Sequence, residues 1–402
     1  MRCRQVMLVN VRNYRRLELD LPAGAVVIHG DNGQGKSNLL EAVYVLATSK
    51  SYRTSQDRDL LNWSVTDTGA EPATAFARFA SLVERSSSNL RLEVIIAPIP
   101  PEADGGEERG RQPATLTNKR ILVNGTARRS GDLVGQLHVV LFTPADLDLV
   151  TGSPDVRRRY LNVTLSQTDR AYYRALVQYN RVITQRNSLL RHLRETRDRR
   201  DQLTYWNDEL VRHGSYITSR RADAVLQLGS MLEDRYTDLT GDPGLLHLGY
   251  VASVTGDEPV EPVKLLQEDE AARRFRTLLA RQEAREIQAG VSLHGPHRDD
   301  VSFMLQGRDL SRFGSRGQQR AATVGLKLAE VAYMRQVSGE MPVMLLDDVL
   351  SELDRPRRDY LTRSLPANQQ VLLTTADLDV IPEALLQRSV RLHVQAGTVT
   401  PQ

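Results

Sequence analysis

Three glycines, a lysine and a serine stand at phosphate-binding spacing in "GDNGQGKS", Gly30 to Ser37. The run satisfies G-x-x-x-x-G-K-S/T at every fixed position, the pattern of a loop whose backbone N–H groups cradle phosphate oxygens. Gly30, Gly33 and Gly35 let the main chain approach those oxygens without side-chain interference. Lys36 is placed to neutralise the β- and γ-phosphates of ATP, and the Ser37 hydroxyl to ligate Mg²⁺. Asp31, Asn32, Gln34 and Asn38 complete the expected nucleotide-contacting set. Far downstream, "MPVMLLDDVLSELD" runs through an apolar strand, Val343 to Leu346, into Asp347 and Asp348. A carboxylate at such a strand end can hold the Mg²⁺ water shell, the role expected of Asp347. Asp348, one residue on, can orient or deprotonate attacking water. Its reach is shorter than a glutamate's, which predicts slow hydrolysis.

A second stretch could also hold an anion. "FGSRGQQRAATVGLKLAEVAYMRQ" begins at Phe313, with Gly314 and Gly317 flanking Ser315. Val324, Leu328, Val331 and Ala332 then make an apolar stripe at helical spacing. Free backbone N–H groups and the helix dipole favour an anion at such an N-terminus. Taken alone, Ser315 reads as an ordinary N-cap, worth about 1 kcal/mol. Its place just before the strand with the double acid favours a nucleotide contact instead.

These groups need a framework that joins the two ends of the chain. "RRLELDL" alternates as a half-buried strand should, and "AVVIHG" suits a buried central strand. A helix is expected from Lys36 through Leu46. Further strands are expected at "FARFASLV", "LRLEVII" and "RILVNGT", with Asn124-Gly125 as a hairpin turn. From about Ser166 to Thr240 the pattern turns helical: Leu176, Tyr179, Val182 and Ile183, then Leu189, Leu190 and Leu193. A break near "TRDRRDQ" leads into Trp206, Leu210 and Ile217. After Gly290 strands and loops return. The expected fold is therefore α/β: a nucleotide-binding head split between residues 1–165 and 290–402, with a mainly helical lobe inserted over 166–289. Residues 98–115, rich in Pro, Gly and charge, are expected to form a mobile loop or, alternatively, a partner-binding flap.

Loop, helix, strand and double acid in this order resemble the ATP-binding-cassette class, whose signature loop reads Leu-Ser-Gly-Gly-Gln. Ser315, Gly317 and Gln318 match its serine and last two positions, and Arg316 departs from its glycine. Ser351 to Asp354, "SELD", looks like the D-loop that follows in that class. "LVNVRNYRRLEL", "TSKSYRT", "VVLFTPADLDLVTGSPDVRRRYLN" and "HGPHRDDV" further resemble the RecF family of bacterial recombination mediators. That resemblance implies a head related to the SMC and double-strand-break repair ATPases, with a short helical lobe in place of long coiled coils. It also implies ATP and Mg²⁺ as ligands and a weak, DNA-stimulated ATPase. It implies an ATP-dependent homodimer on DNA, duplex or junctions with single strand, that works with RecO and RecR in loading RecA. Ser315 would then join Lys36, Asp347 and Asp348 among the catalytic residues, acting across the dimer. Tyr52 stands where the family usually has histidine. Gln136 is near the expected glutamine loop without matching it. Thr374 and Thr375 occupy the place of a switch histidine.

Arg12 could reach the nucleotide phosphates, and Arg53 phosphate or DNA. His297, Arg298 and Asp300 of "HGPHRDD" could serve the nucleotide interface or tie the helical lobe to the head. From Arg157 to Arg200 there are twelve arginines against three acids. Arginine suits bidentate phosphate contact, so Arg157, Arg158, Arg159, Arg181 and Arg186 are candidate DNA contacts. The alternative is a solvated helix face.

Composition narrows the rest. The 402 residues carry a net charge of only +3, so a nucleic-acid surface must come from local segregation of charge. At 5% aromatic content, few rings are available to stack bases. One cysteine excludes an intramolecular disulfide. No apolar run reaches about 18 residues, and the first residues lack a signal-peptide core. A cytoplasmic protein without a membrane partner is expected. A transporter-type cassette is the alternative, but it would show a short gap between the two loops; here the gap runs from Lys36 to Ser315. A scaffold that binds nucleotide without hydrolysing it is the other.

Overall fold

Apolar runs from both ends of the chain pair into one sheet. In a computed structural model, which describes residues 1–66, 76–99, 117–196, 201–241, 246–256 and 267–402, the chain divides into two units. The first is Met1–Pro144 with Met334–Gln402; the second is Ala145–Tyr333.

In the first unit a six-stranded sheet has the order Thr398–Pro401, Ser389–Gln395, Ala25–His29, Val371–Thr375, Val343–Asp347, Val139–Phe142. All neighbours are parallel except the terminal hairpin. Val343–Asp347 and Val371–Thr375 are buried at every position, which is why they read as unbroken apolar runs and not as alternation. Register sets the site: Thr374 lies opposite Asp347, and Thr375 opposite His29. A second, antiparallel sheet orders Tyr14–Asp20, Arg2–Val11, Ala77–Glu84, Asn89–Pro98, Thr117–Val123, Thr126–Arg128. Its last hairpin turns at Asn124 (φ 51°) and Gly125 (φ 76°), the left-handed pair expected there. The helix Lys36–Thr48 packs against strands of both sheets and is buried from Leu39 to Ala47. Helix surface apolar on all sides belongs inside a protein.

The second unit holds the helices Pro154–Thr168, Arg170–Thr196, Asp201–Thr240 and Glu268–Ala289, and the three-stranded sheet Arg308–Asp309, Asp300–Leu305, Leu246–Val251. The buried positions of Arg170–Thr196 are Tyr172, Ala175, Tyr179, Val182, Arg186, Leu190 and Leu193, a stripe of three- and four-residue steps. Leu176, Ile183 and Leu189 flank it, half-buried. The helix Arg316–Ser338 differs from the single stripe expected: it is buried on every side from Ala321 to Val331. It accommodates charge there by pairing. Lys327 donates to Glu330 at 3.0 Å and lies over the Tyr160 ring, and the Thr164 hydroxyl donates to Glu330 at 2.7 Å.

Residues 145–165 and 290–333 fall in the same compact unit as the helices. The side-chain ties of that unit give the reason: Arg157 pairs with Asp300, and Arg221 of the long helix with Asp299. Residues 100–115 of the expected mobile loop lie outside the described residues, as does most of the break after Thr196.

Candidate nucleotide site

The loop between strand Ala25–His29 and helix Lys36–Thr48 is braced from two sides. The Asn13 side chain donates to the Gln34 carbonyl at 2.7 Å and accepts from Asn38 at 2.8 Å, while the Tyr14 hydroxyl donates to the Gly35 carbonyl at 3.0 Å. From the C-terminal hairpin, the Ala396 N–H donates to the Gln34 side chain at 2.7 Å and the Gly397 N–H to its carbonyl at 3.1 Å. Two glycines are obligatory for this packing. A Cβ on Gly30 (φ 144°) would lie 2.3 Å from the Val394 carbonyl oxygen, and one on Gly35 (φ 117°) 2.5 Å from the Asn13 amide.

Lys36 is buried, and its ammonium donates to the carbonyls of Gly30 at 2.6 Å and Asp31 at 2.8 Å. Burial lowers its proton affinity, opposed by Asp348, Asp31 and Asp347. No carboxylate among the described residues comes within ion-pair distance of it. A buried ammonium held only by carbonyls, in a loop of backbone N–H groups, fits an anionic ligand.

Ser37 and Asp347 meet beside it. The Ser37 hydroxyl donates to Asp347 Oδ1 at 2.7 Å, and the Thr374 hydroxyl to the same oxygen at 2.8 Å. The Tyr52 hydroxyl donates to Asp347 Oδ2, also at 2.7 Å. Hard oxygen donors so arranged fit Mg²⁺. Asp348 follows in the left-handed region (φ 51°), which an aspartate tolerates, its N–H held by the Thr374 carbonyl at 3.2 Å and hydroxyl at 3.0 Å. The Ser351 hydroxyl reaches its Oδ1 at 2.9 Å.

The Arg12 guanidinium forms a two-point pair with buried Glu41, at 2.9 and 2.8 Å, and donates to the Asp59 carbonyl at 2.6 Å. Glu41 also accepts from the Ser51 hydroxyl. Arg53 donates to the Asn38 side chain at 2.6 Å, stays 43% exposed, and so borders the loop helix. Gln136 is taken up locally, donating to the Asp132 carbonyl and accepting from Arg85.

In the second unit Ser315 and Gln318 form a reciprocal capping box. The Gln318 N–H donates to the Ser315 hydroxyl at 3.2 Å and the Ser315 N–H to the Gln318 side chain at 2.9 Å. Ser315 and Arg316 are exposed, and Phe313 is 72% exposed. Local geometry alone therefore satisfies the N-cap reading and leaves the serine at the surface.

Three of the candidate DNA contacts, Arg157, Arg158 and Arg186, have guanidiniums engaged inside the fold. Arg186 is fully buried and donates to Glu286 at 2.6 Å, Ser292 at 2.7 Å and Asn207 at 2.8 Å. Arg157 grips both oxygens of Asp300 and the Gly152 carbonyl. Arg158, half-buried, reaches the Asp299 carbonyl and Asp155. Arg159 and Arg181 are exposed. The "HGPHRDD" segment is a hub of its own unit. Asp299 accepts from Arg221, Tyr250 and the Ser253 N–H, and His297 bonds Tyr179 through Nδ1 at 2.7 Å and the Ser292 carbonyl through Nε2 at 3.1 Å.

Burial, assisted by nearby arginines and only partly offset by the Ser292 bond, lowers the His297 pKa to about 4. As pH falls below about 6.5 the unfolded chain takes up a proton that the folded chain refuses until about 4, so stability is lost across that window. Urea midpoints at pH 7 and pH 4.5 should show a loss that His297→Gln reduces. An equal loss in both proteins would place the titrating group elsewhere.

A phosphate loop on a parallel sheet, a strand-end aspartate bonded to its serine, and a C-terminal half that completes the sheet define an ATPase head of the ABC and SMC class. The sequence comparisons agree and go further. Residues 2–400 match the family model for the RecF/RecN/SMC N-terminal domain, and the chain belongs to the RecF family within it. The DNA replication and repair protein RecF of Herpetosiphon aurantiacus is 42% identical over 402 residues, covering 99% of both chains. That of Chloroflexus aurantiacus is 41% identical over 400 residues, covering 98% of both. A solved structure of the recombination mediator protein RecF with ATPrS, of the RecFOR pathway, superposes with a TM-score of 0.83 at 26% identity, covering 100% of this chain and 98% of that one. An Smc head bound to the C-terminal winged-helix domain of ScpA gives 0.51 at 11% identity and shares the fold. Among the described residues no helix is long and apolar enough to cross a membrane.

Proposed function

We propose that this protein is a cytoplasmic, ATP-dependent recombination mediator that closes as a dimer on DNA, at gaps or single-/double-strand junctions, and releases it by slow hydrolysis. The observation that carries this is the Ser37–Asp347 hydrogen bond beside buried Lys36, the two ends of the chain meeting at one phosphate loop. Gly30 to Ser37 would hold the triphosphate and Lys36 its β- and γ-oxygens. Mg²⁺, held by Ser37 and Asp347, would supply charge neutralisation of the phosphates. Asp348, fixed by Thr374 and Ser351, orients the attacking water from a short side chain, hence a weak ATPase; its stimulation by DNA rests on kinship with the RecF family. Each nucleotide would lie between Lys36 of one subunit and Ser315, Gly317 and Gln318 of the other, and a two-fold axis forms two such sites at once. Exposed Ser315 and Phe313 support that use of the second loop. To drive the switch nearly to completion, the γ-phosphate must favour the closed state by about 5.5 kcal/mol.

DNA contact would rest on the arginines that remain at the surface, Arg159, Arg170, Arg174, Arg181, Arg191 and Arg194, with Arg53 beside the loop. RecR and RecO, and RecA through them, are the proposed partners, by kinship with the proteins of the RecFOR pathway. DNA affinity measured by anisotropy in ATP over a salt series should fall with a log–log slope of about −0.9 per phosphate contacted, and Arg159→Ala with Arg181→Ala should make it shallower. A salt-insensitive affinity would contradict the DNA role.

A further inference from the structure

The aromatic residue at position 52 is built into the acidic centre. Its hydroxyl donates to Asp347 Oδ2 at 2.7 Å and lies 3.4 Å from the Ser37 carbonyl. Its ring meets Tyr44 of the loop helix edge-on, centroids 5.4 Å apart at 79°. The other oxygen of the same carboxylate takes Ser37 and Thr374. One carboxylate is thus held by three hydroxyls from three separate elements, and the two oxygens are not equivalent. Oδ1 faces the phosphate-loop serine, and Oδ2 is anchored on the far side. If Ser37 turns its lone pair to a cation, Thr374 and Tyr52 are left to fix the carboxylate plane.

We propose that Tyr52 is a positioning residue for Mg²⁺: by anchoring Asp347 Oδ2 it aims Oδ1 at the cation, and so sets how tightly Mg²⁺ is held without itself touching metal or nucleotide. This rests on the reading of Ser37 and Asp347 as the metal-facing pair. Partners that orient a metal ligand through its second atom commonly matter as much as tens of fold in metal affinity. Phenylalanine is the clean probe, since it keeps the ring against Tyr44 and removes only the donor. Histidine returns an N–H donor.

The test is binding of a fluorescent, non-hydrolysable ATP analogue over a Mg²⁺ series and in EDTA, with nucleotide-free melting followed in parallel. Tyr52→Phe should match wild type in EDTA and need roughly tenfold more Mg²⁺ for half-maximal tightening, with Tyr52→His within about threefold of wild type. An unchanged Mg²⁺ midpoint in Tyr52→Phe overturns the proposal, and so does an equal loss with and without Mg²⁺, which marks a merely structural role. Should Tyr52→Phe fail to fold, Tyr52→Leu decides by the same reading: a roughly tenfold shift of the Mg²⁺ midpoint with unchanged binding in EDTA supports the proposal, and an unchanged midpoint overturns it. Failure of the underlying metal-site reading looks different, because then Asp347→Asn would respond to Mg²⁺ just as wild type does.

Discussion

Lys36→Ala will cost about a hundredfold or more in ATP affinity and leave the nucleotide-free protein as stable as wild type, or more so. Both halves follow from where the ammonium sits. It is buried, its partners among the described residues are the Gly30 and Asp31 carbonyls, and burial already works against its charge. In the empty site, losing it removes two hydrogen bonds and also relieves the desolvation of a cation, so the stability terms oppose one another. With triphosphate present nothing offsets the loss. Hydrogen bonds to charged groups contribute about 1.5–3 kcal/mol each, and every 1.4 kcal/mol is tenfold in affinity. Titration with a fluorescent ATP analogue, beside thermal melting without nucleotide, measures both. Retained affinity would remove Lys36 from the site.

The second large effect lies in the helical unit. Arg186→Met and Glu286→Leu should each destabilise it by about 3–5 kcal/mol, and the double variant by clearly less than the sum. Neither side chain of the pair is exposed, and each single change strands the other charge in the interior. Replacing both removes the stranded charge; Ser292 keeps its bond to Asn187, and the residual cost is the Asn207 side-chain oxygen and the Leu293 N–H that lose these partners. Urea unfolding of the four proteins gives the coupling directly. Were Arg186 instead a DNA contact, Arg186→Met would weaken DNA binding and leave the urea midpoint in place.

That pair also shows what can be read from the chain alone. The phosphate loop, its helix, the apolar strands and the Asn124-Gly125 turn were legible because each is encoded locally, by spacing, by an unbroken apolar run or by a turn dipeptide. A count of arginines as charge, without their places on the helix, hides the burial of Arg186. It stands four residues after Val182 and four before Leu190, squarely on the buried stripe, and that spacing could have identified it. Arg157 and Asp300, or Arg12 and Glu41, are different. Their partners lie far away in sequence, and nothing local marks either member as half of a pair. The same holds for Tyr52, whose partner Asp347 lies 295 residues away.

The central claim is that the exposed loop at Ser315 completes, in a second copy of the chain, the nucleotide site built around Lys36. Light scattering on wild type and Ser315→Arg, with and without ATP and with DNA present, tests it most directly. A doubling of protein mass with ATP for wild type alone is the predicted result. Wild type that stays monomeric on DNA at saturating ATP would contradict the account.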